Sequence, residues 1–359
     1  LKLLPTLARG SSGRAEQMRI LFVGFGNVGR TVARILTKER ARFPGMGALD
    51  DLVVAGIVTR RGGSLACPEG IDLLGALESM ETIGRFSEDM KGFCGMTGEE
   101  ASAVLDYDVL VELSTLSIEN RGEPASTHIR TALGRGCHAV SANKGPVAFS
   151  YRELSEIARI TGREFLFETA VMDGAPVFNL CRSCLRGCSI SAVDGILNST
   201  TNYILGRMEE GADLPEAVKE AQKIGVAEAD PGHDVDGWDA SAKVAALANV
   251  ILGGEITPFD VDRRGIGEVT CSEVREALRS GKRLKLICRA WKDEKGIHGK
   301  VGVEEISLDH PFSLVSGGGA VLRIHTDLMG PVIITQENPD LYDTAYGVLG
   351  DLIAIRQKA

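Results

Sequence analysis

The chain has 359 residues, of which 44% are hydrophobic and 25% charged, a globular composition that excludes disordered and fibrous classes and leaves room for two or three packed domains. A formal net charge of −9 argues against nucleic acid or an anionic membrane surface as partner, because both need a dense basic face; small soluble substrates fit better. No apolar run approaches the roughly 18 residues of a membrane span, and eight cysteines, several inside apolar runs such as LKLICRAW, suit reduced thiols in the cytoplasm.

Residues 1–17 carry a short apolar piece and no long hydrophobic region, so they are expected to form an N-terminal tail. From Met18 the segment MRILFVGFGNVGRTVARILTKE is an apolar strand, a glycine turn and a helix with apolar residues at Val28, Val32, Ile35 and Leu36. Here G-x-G-x-x-G follows a strand and opens a helix, the context that gives it meaning. Gly24 permits the tight turn, Gly26 admits a pyrophosphate, and Gly29 lets helix and strand pack closely. The whole loop, Gly24, Phe25, Gly26, Asn27, Val28 and Gly29, is expected to cradle the phosphates of a dinucleotide.

A second strand over 52–58 ends where an acid would accept bonds from the ribose 2′-OH of NAD. Arg60 and Arg61 stand there instead, which favours the 2′-phosphate of NADP. The region from there to about 107 reads as helix and loop. A buried strand over 108–114, a helix around 124–134 and a short strand stopping at Ala142-Asn143-Lys144 continue an alternation that predicts a parallel, doubly wound sheet over 18–150. Ligands bind beyond the carboxyl ends of such strands, and Ser114, Thr115, Asn143 and Lys144 all fall there.

Beyond 150 the pattern changes to α+β. Cys181, Cys184 and Cys188, at i, i+3 and i+7, read as one stripe of a core helix rather than a metal cluster. ISAVDGILNSTTNYILGRME is a strand, a polar turn and a helix; hydroxyls such as that of Thr200 serve either a substrate or the helix cap. The stretch 220–243 concentrates Glu228, Asp230, Asp234, Asp236 and Asp239 in a loop shaped by Pro231, Gly232 and Gly237. Past Gly237 an Ala-rich helix places Asp239 and Lys243 at i and i+4, presenting a carboxylate and an amine together. Strands near 284–291, 300–306 and 321–325 predict a mixed or antiparallel sheet. The residues from 331 are expected to return as a strand and then a helix to the first domain. The six histidines form no spaced pair that reads as a zinc site or a triad.

GFGNVG, SANKGP, ETAVMDGAP, GILNSTTNYI and EAQKIGVAEADPGHDVDGWDASAK, in this order, resemble homoserine dehydrogenase from Met18 to about Val332 and more loosely to Ile355. The resemblance implies a Rossmann-type dinucleotide-binding domain with an α+β substrate and dimerisation domain over 151–330. It also implies oxidation of L-homoserine to L-aspartate 4-semialdehyde, or the reverse, with NADP or NAD, in threonine and methionine biosynthesis. Carried over by motif, Lys243 is the catalytic lysine, Asp239 the carboxylate beside it and Lys144 a second lysine between cofactor and substrate. Glu228 binds the substrate amino end, Asp234 belongs to the same site, and Ser114 and Thr115 touch the nicotinamide half. Glu168 with the carbonyls of Val171, Asp173 and Ala175 aligns with a monovalent-cation site, such as one for Na+. A homodimer or homotetramer is implied, with 190–197 part of the associating sheet.

Three departures stand out. Asp173 replaces a small residue, and QENPDLYDTAYGVLGDL replaces a glycine-rich loop before Thr344-Ala345. Neither an aspartate-kinase region nor an appended regulatory domain is found, so threonine feedback through such a domain is not expected. The competing readings are another NADP-dependent Rossmann dehydrogenase of an amino or hydroxy acid, and a catalytically silent NADP-binding sensor.

Overall fold

Five short apolar runs, near-continuous in Val, Ile, Leu and Phe, form the parallel part of the first sheet, because a strand covered on both faces has no polar side. The computed structural model describes residues 17–228 and 230–358, so the expected tail lies, but for its last residue, outside the described residues. The chain divides into two units.

The first unit comprises 17–146, Ser150–Gly174 and 341–358. Its strands are β1 (Arg19–Val23), β2 (Val53–Val58), β3 (Ser64–Ala66), β4 (Phe93–Cys94), β5 (Val109–Glu112), β6 (His138–Ser141) and β7 (Phe165–Leu166), arranged β4-β3-β2-β1-β5-β6-β7. Strands β2, β1, β5, β6 and β7 run parallel, whereas β3 and β4 add antiparallel. That edge lies in the region expected to be helix and loop; strands of two or three residues are too short to show an alternating pattern. The helices here are α1 (Asn27–Leu36), α2 (Leu73–Ile83), α3 (Gly98–Val104), α4 (Ala125–Gly134) and α5 (Lys144–Thr161). Val32 and Ile35 of α1 are buried to 2% exposure or less, each stabilising the helix–sheet layer by about 1.5–3 kcal/mol. The apolar stripe read from the sequence is thus the stripe that packs.

Lys144 is the first residue of α5 rather than the end of the preceding strand, which stops at Ser141. Asn143 caps the helix by accepting from Gly145 N–H, and Pro146 fits the first turn, where no intrahelical N–H is required. The C-terminal helix Leu341–Lys358 lies against α1, and its Tyr342 hydroxyl donates to Glu39 at 3.0 Å.

The second unit comprises Val147–Phe149 and Ala175–Asp340. Its sheet contains β8 (Ile190–Ile196), β9 (Asp262–Arg263), β10 (Lys282–Asp293), β11 (Gly296–Ser307), β12 (Ala320–Thr326) and β13 (Gly330–Gln336) in the order β13-β12-β8-β10-β11-β9. It is mixed: every pairing is antiparallel except that of β9 with β11. Helices α6 (Ser199–Glu209), α7 (Leu214–Lys223), α8 (Trp238–Ile251) and α9 (Cys271–Arg279) complete it, with α8 packed on β10 and β11.

Three expectations are corrected. The first unit does not end at 150 but continues through α5 and β7 to Gly174, because β7 pairs with β6 in the parallel sheet. The strand after 330 pairs with β12 as a hairpin in the second sheet, so only the helix from Leu341 joins the first unit. The three cysteines do not form a buried helical stripe. A turn at Val177–Asn179 runs into a π-turn in which Leu185 N–H donates to Leu180 O, an i→i+5 bond, so residues three and seven apart no longer stack. Cys184 is consequently exposed.

Candidate active site

In the first unit the chain order reverses about β1: β2 lies on one side of it and β5 on the other, the switch point at which an open α/β sheet binds its ligand. Gly24 follows β1 with φ +99°, and a Cβ there would sit 2.6 Å from Leu113 C and 2.8 Å from Ser114 N. Only glycine allows the β1 turn to press on the β5 turn so closely. Gly26, the N-cap of α1, has no side-chain cap and no atom within 4 Å of the position its Cβ would take. The first turn of α1 thus has no side-chain cap on its N–H groups and an open position at Gly26, as an approaching pyrophosphate requires. At Gly29 the opposite holds, with Gly24 O, Leu113 and Phe25 all 3.3 Å from a notional Cβ. Phe25 turns its ring inward between Phe22 and Phe86, at 6.1 and 5.8 Å between centroids, so its backbone alone faces the loop. Asn27 accepts from Arg30 at 2.7 Å, and Val28 packs at the edge of the core.

After β2, the Thr59 hydroxyl donates to Gly63 O and accepts from Gly62 N–H, both at 2.7 Å, closing a tight turn. Arg60 and Arg61 project from that turn, exposed, without an ion pair to any described carboxylate. At the ends of β5 and β6, Asn143 Nδ2 donates to Ser114 Oγ and to Thr115 O, each at 3.3 Å. Ser114, Thr115, Asn143 and Lys144 are thus gathered at adjacent strand ends.

In the second unit Asn198, the N-cap of α6, organises the acidic stretch. Its Oδ1 accepts from Thr201 N–H at 2.8 Å, capping α6, while its Nδ2 donates to Asp234 at 2.6 Å and to Asp239 at 3.0 Å. Lys243 Nζ donates to Leu197 O at 2.6 Å and lies 3.5 Å from Asp239 Oδ2, so the i, i+4 pair forms on α8 as its spacing predicts. Asp234, Asp239 and Lys243 together leave one net negative charge, suited to an ammonium. Asp230 instead accepts from Gly232 N–H at 3.1 Å, and Glu228 and Asp236 are exposed. The Thr200 hydroxyl donates to Val226 O at 3.0 Å, which fastens the acidic loop to α6. Behind the lysine, Cys288 of β10 is fully buried and its thiol is pushed up to about 12, chiefly by desolvation, with Lys243 opposing and Asp239 reinforcing the shift. It remains a neutral thiol.

Residues 24–168 match the family model described as homoserine dehydrogenase, NAD binding domain, and residues 176–353 match the homoserine dehydrogenase model. An NAD(+)-dependent homoserine dehydrogenase of Pseudomonas canavaninivorans is 33% identical over 96% of this chain and 97% of its own. The homoserine dehydrogenase of Methanocaldococcus jannaschii is 36% identical, covering 94% and 98%. The chain belongs to the homoserine dehydrogenase family. A hyperthermophilic archaeal homoserine dehydrogenase, solved in complex with NADPH, superposes with a TM-score of 0.80 at 31% identity over 96% of this chain and 99% of that one. Membership carries the family's reaction, the interconversion of L-homoserine and L-aspartate 4-semialdehyde with NAD(P), as the motifs imply.

For a homoserine dehydrogenase, two features went unread in the sequence. Asn198 was visible only as one polar residue in a turn of five, and its bridging of two acids needs α8 folded beside it. Glu112, buried at the end of β5, was signalled by a charge closing the apolar run VLVE. Of the residues aligned with a cation site, Asp173 (φ +46°) accepts from the Thr344 hydroxyl at 2.9 Å, and Ala175 O accepts from Val177 N–H at 2.8 Å. No group of three or more His, Cys, Asp and Glu side chains is set to hold a metal among the described residues. Thr344-Ala345 lies in the first turns of the C-terminal helix rather than after a glycine-rich loop.

Proposed function

We propose that this chain oxidises L-homoserine, or reduces the semialdehyde, with NADP in preference to NAD, and that Lys243 manages the proton. The observation carrying this reading is the convergence of Asp234, Asp239 and Lys243 through Asn198 and Leu197 O. Asp234 and Asp239, with Glu228, grip the substrate ammonium, since their net negative charge in the partly buried site attracts it. Lys243 takes the C4 hydroxyl proton during oxidation and returns it in the reverse direction, while Leu197 O and Asp239 hold its Nζ in place. Lys144 at the start of α5 is a second lysine for the carbonyl oxygen, and Thr200 keeps the acidic loop on α6.

A bound nicotinamide supplies the hydride chemistry. The chain holds it through the bare N-terminus of α1 and the Gly24, Gly26 and Gly29 loop, with Ser114, Thr115 and Asn143 at the nicotinamide end. Preference for NADP is supported by exposed Arg60 and Arg61 with no acid at the end of β2. The related proteins include one named as NAD(+)-dependent and one solved with NADPH, so both cofactors belong in the assay. A monovalent cation such as Na+ is proposed at buried Glu168 with the carbonyls of Val171, Asp173 and Ala175, whose hard oxygens suit it. The first unit is read as the dinucleotide-binding domain and the second as the substrate domain of a cytoplasmic homodimer or homotetramer. The association is supported by apolar residues exposed on the β12–β13 hairpin, Leu328, Met329 and Ile333.

The deciding experiment is spectrophotometric reduction of NADP and of NAD by L-homoserine on the purified chain. Turnover with homoserine is expected, faster at low NADP than at low NAD. Turnover of other alcohols alone would favour a different dehydrogenase, and cofactor binding without turnover a sensor. A monomer by light scattering at micromolar concentration would contradict the assembly.

A further inference from the structure

One buried ionisable pair has no part in the chemistry above. Glu112 closes β5 and is fully buried; His128 on α4 is 4% exposed. His128 Nδ1 lies 2.7 Å from Glu112 Oε2, and Glu112 Oε1 accepts from Ser114 N–H at 2.8 Å. Packing alone asks for another apolar residue after Val109, Leu110 and Val111, since a buried carboxyl is costly unless its oxygens are hydrogen-bonded. What the carboxyl adds is those two bonds, one to the ring and one to the turn.

The same turn is gripped from the other side by Asn143, through Ser114 Oγ and Thr115 O. It is also touched from below by the glycine loop, where a Cβ at Gly24 would collide with Leu113 and Ser114. The ring is packed against α3: a Cβ on Gly98, at the start of that helix, would sit 2.5 Å from His128 Nε2. The Ser114-Thr115 turn is thereby fixed by buried side chains from β5 and from the cap of α5, and its anchor is locked by α3 and α4.

We propose that Glu112 and His128 are a positioning pair that sets the Ser114-Thr115 turn for the nicotinamide end of the cofactor. This rests on the reading that the turn faces the nicotinamide. Neither residue touches the reacting atoms; they act through Ser114. Their loss therefore impairs the nicotinamide end while sparing the adenosine end, which is bound at the α1 terminus and the arginine turn.

The test is calorimetric binding of NADPH and of 2′-phospho-ADP-ribose, which lacks the nicotinamide, to wild type, Glu112→Ala, Glu112→Gln and His128→Gln, alongside steady-state kinetics. For Glu112→Ala, NADPH affinity is expected to fall about tenfold and kcat about 10- to 100-fold, the scale of a turn displaced by about 1 Å. Affinity for the fragment and the KM for homoserine should stay within about twofold. Glu112→Gln keeps an acceptor for Ser114 N–H and should recover most of both losses. Equal weakening of NADPH and fragment, or no change in either, overturns the proposal. Should Glu112→Ala not fold, His128→Gln decides, with NADPH affinity and kcat both expected to fall while fragment affinity holds: NADPH binding and kcat unchanged in it would overturn the proposal. Thr115→Trp, which fills the space before the turn, separates the two ideas. If it leaves NADPH binding intact, the placement of the nicotinamide is wrong; if it alone discriminates between NADPH and the fragment, the positioning pair is wrong.

Discussion

Removing Lys243 is the most direct test of the proton assignment. Its Nζ lies 2.6 Å from Leu197 O and 3.5 Å from Asp239, and both side chains of the pair retain 16% exposure. Lys243→Ala leaves the Leu197 carbonyl short of a donor, a cost of about 1–3 kcal/mol when fully buried and less where water reaches the gap. Asp239 keeps its bond from Asn198 at 3.0 Å, so it is not stranded. A domain stable by about 5–15 kcal/mol survives such a loss, and activity can be read on folded protein. If Lys243 manages the hydroxyl proton, kcat should fall by about two to four decades, the range for removal of a general acid or base. NADPH affinity, measured by fluorescence titration, should hardly change, because the cofactor residues lie in the first unit. Lys243→Arg should not restore turnover, since a guanidinium keeps its proton at any working pH. Asp239→Asn should lower kcat as well, through lost orientation of the amine. Near-normal kcat in Lys243→Ala together with a dead Lys144→Ala would refute the reasoning and move the role to Lys144.

The glycine loop gives a contrast within three residues. Gly26→Ala meets open space and should cost stability no more than about 1 kcal/mol by thermal melting, yet weaken cofactor binding by crowding the pyrophosphate; Gly24→Ala, with φ +99° and a 2.6 Å collision, should lower the melting temperature sharply. Replacing Arg60 and Arg61 with Ser should raise the KM for NADP and leave that for NAD nearly unchanged; equal losses would remove the arginines from 2′-phosphate recognition. Lys285 of β10, buried against α6, donates to Asn202 at 2.8 Å and to Val315 O at 2.9 Å, and desolvation pushes its ammonium down to about 8 from an ordinary 10.5. Between those values the unfolded chain binds the extra proton, so stability from this group is present above pH 10.5 and is lost as pH falls through 8. Urea unfolding of wild type and Lys285→Met across that window should therefore show the wild type gaining on the variant by about 3 kcal/mol as pH rises; a constant difference would mean that burial does not depress the lysine.

Much of this protein was legible in local pattern. The β1–α1 unit, the apolar strands at 52–58 and 108–114, the Asp239–Lys243 spacing and the ordered motifs all follow from periodicities of two and 3.6 and from what glycine alone permits. These are properties of a few consecutive residues, and a helix or turn expresses them wherever it is placed. Tertiary structure decided which of five carboxylates meet: Asp234 and Asp239 converge because Asn198, more than thirty residues earlier, reaches both, while Asp230 accepts from Gly232 N–H and Glu228 and Asp236 are exposed. It decided that β13 pairs in the second sheet and that the helix after it joins the first unit, choices set by long-range pairing rather than by strand propensity. The π-turn at Leu180–Cys184 dispersed a cysteine stripe that a regular helix would have aligned. Glu112 shows the limit most plainly, since a charge closing an apolar strand announces that it is held, but only the folded protein reveals that His128 and the Ser114 N–H hold it.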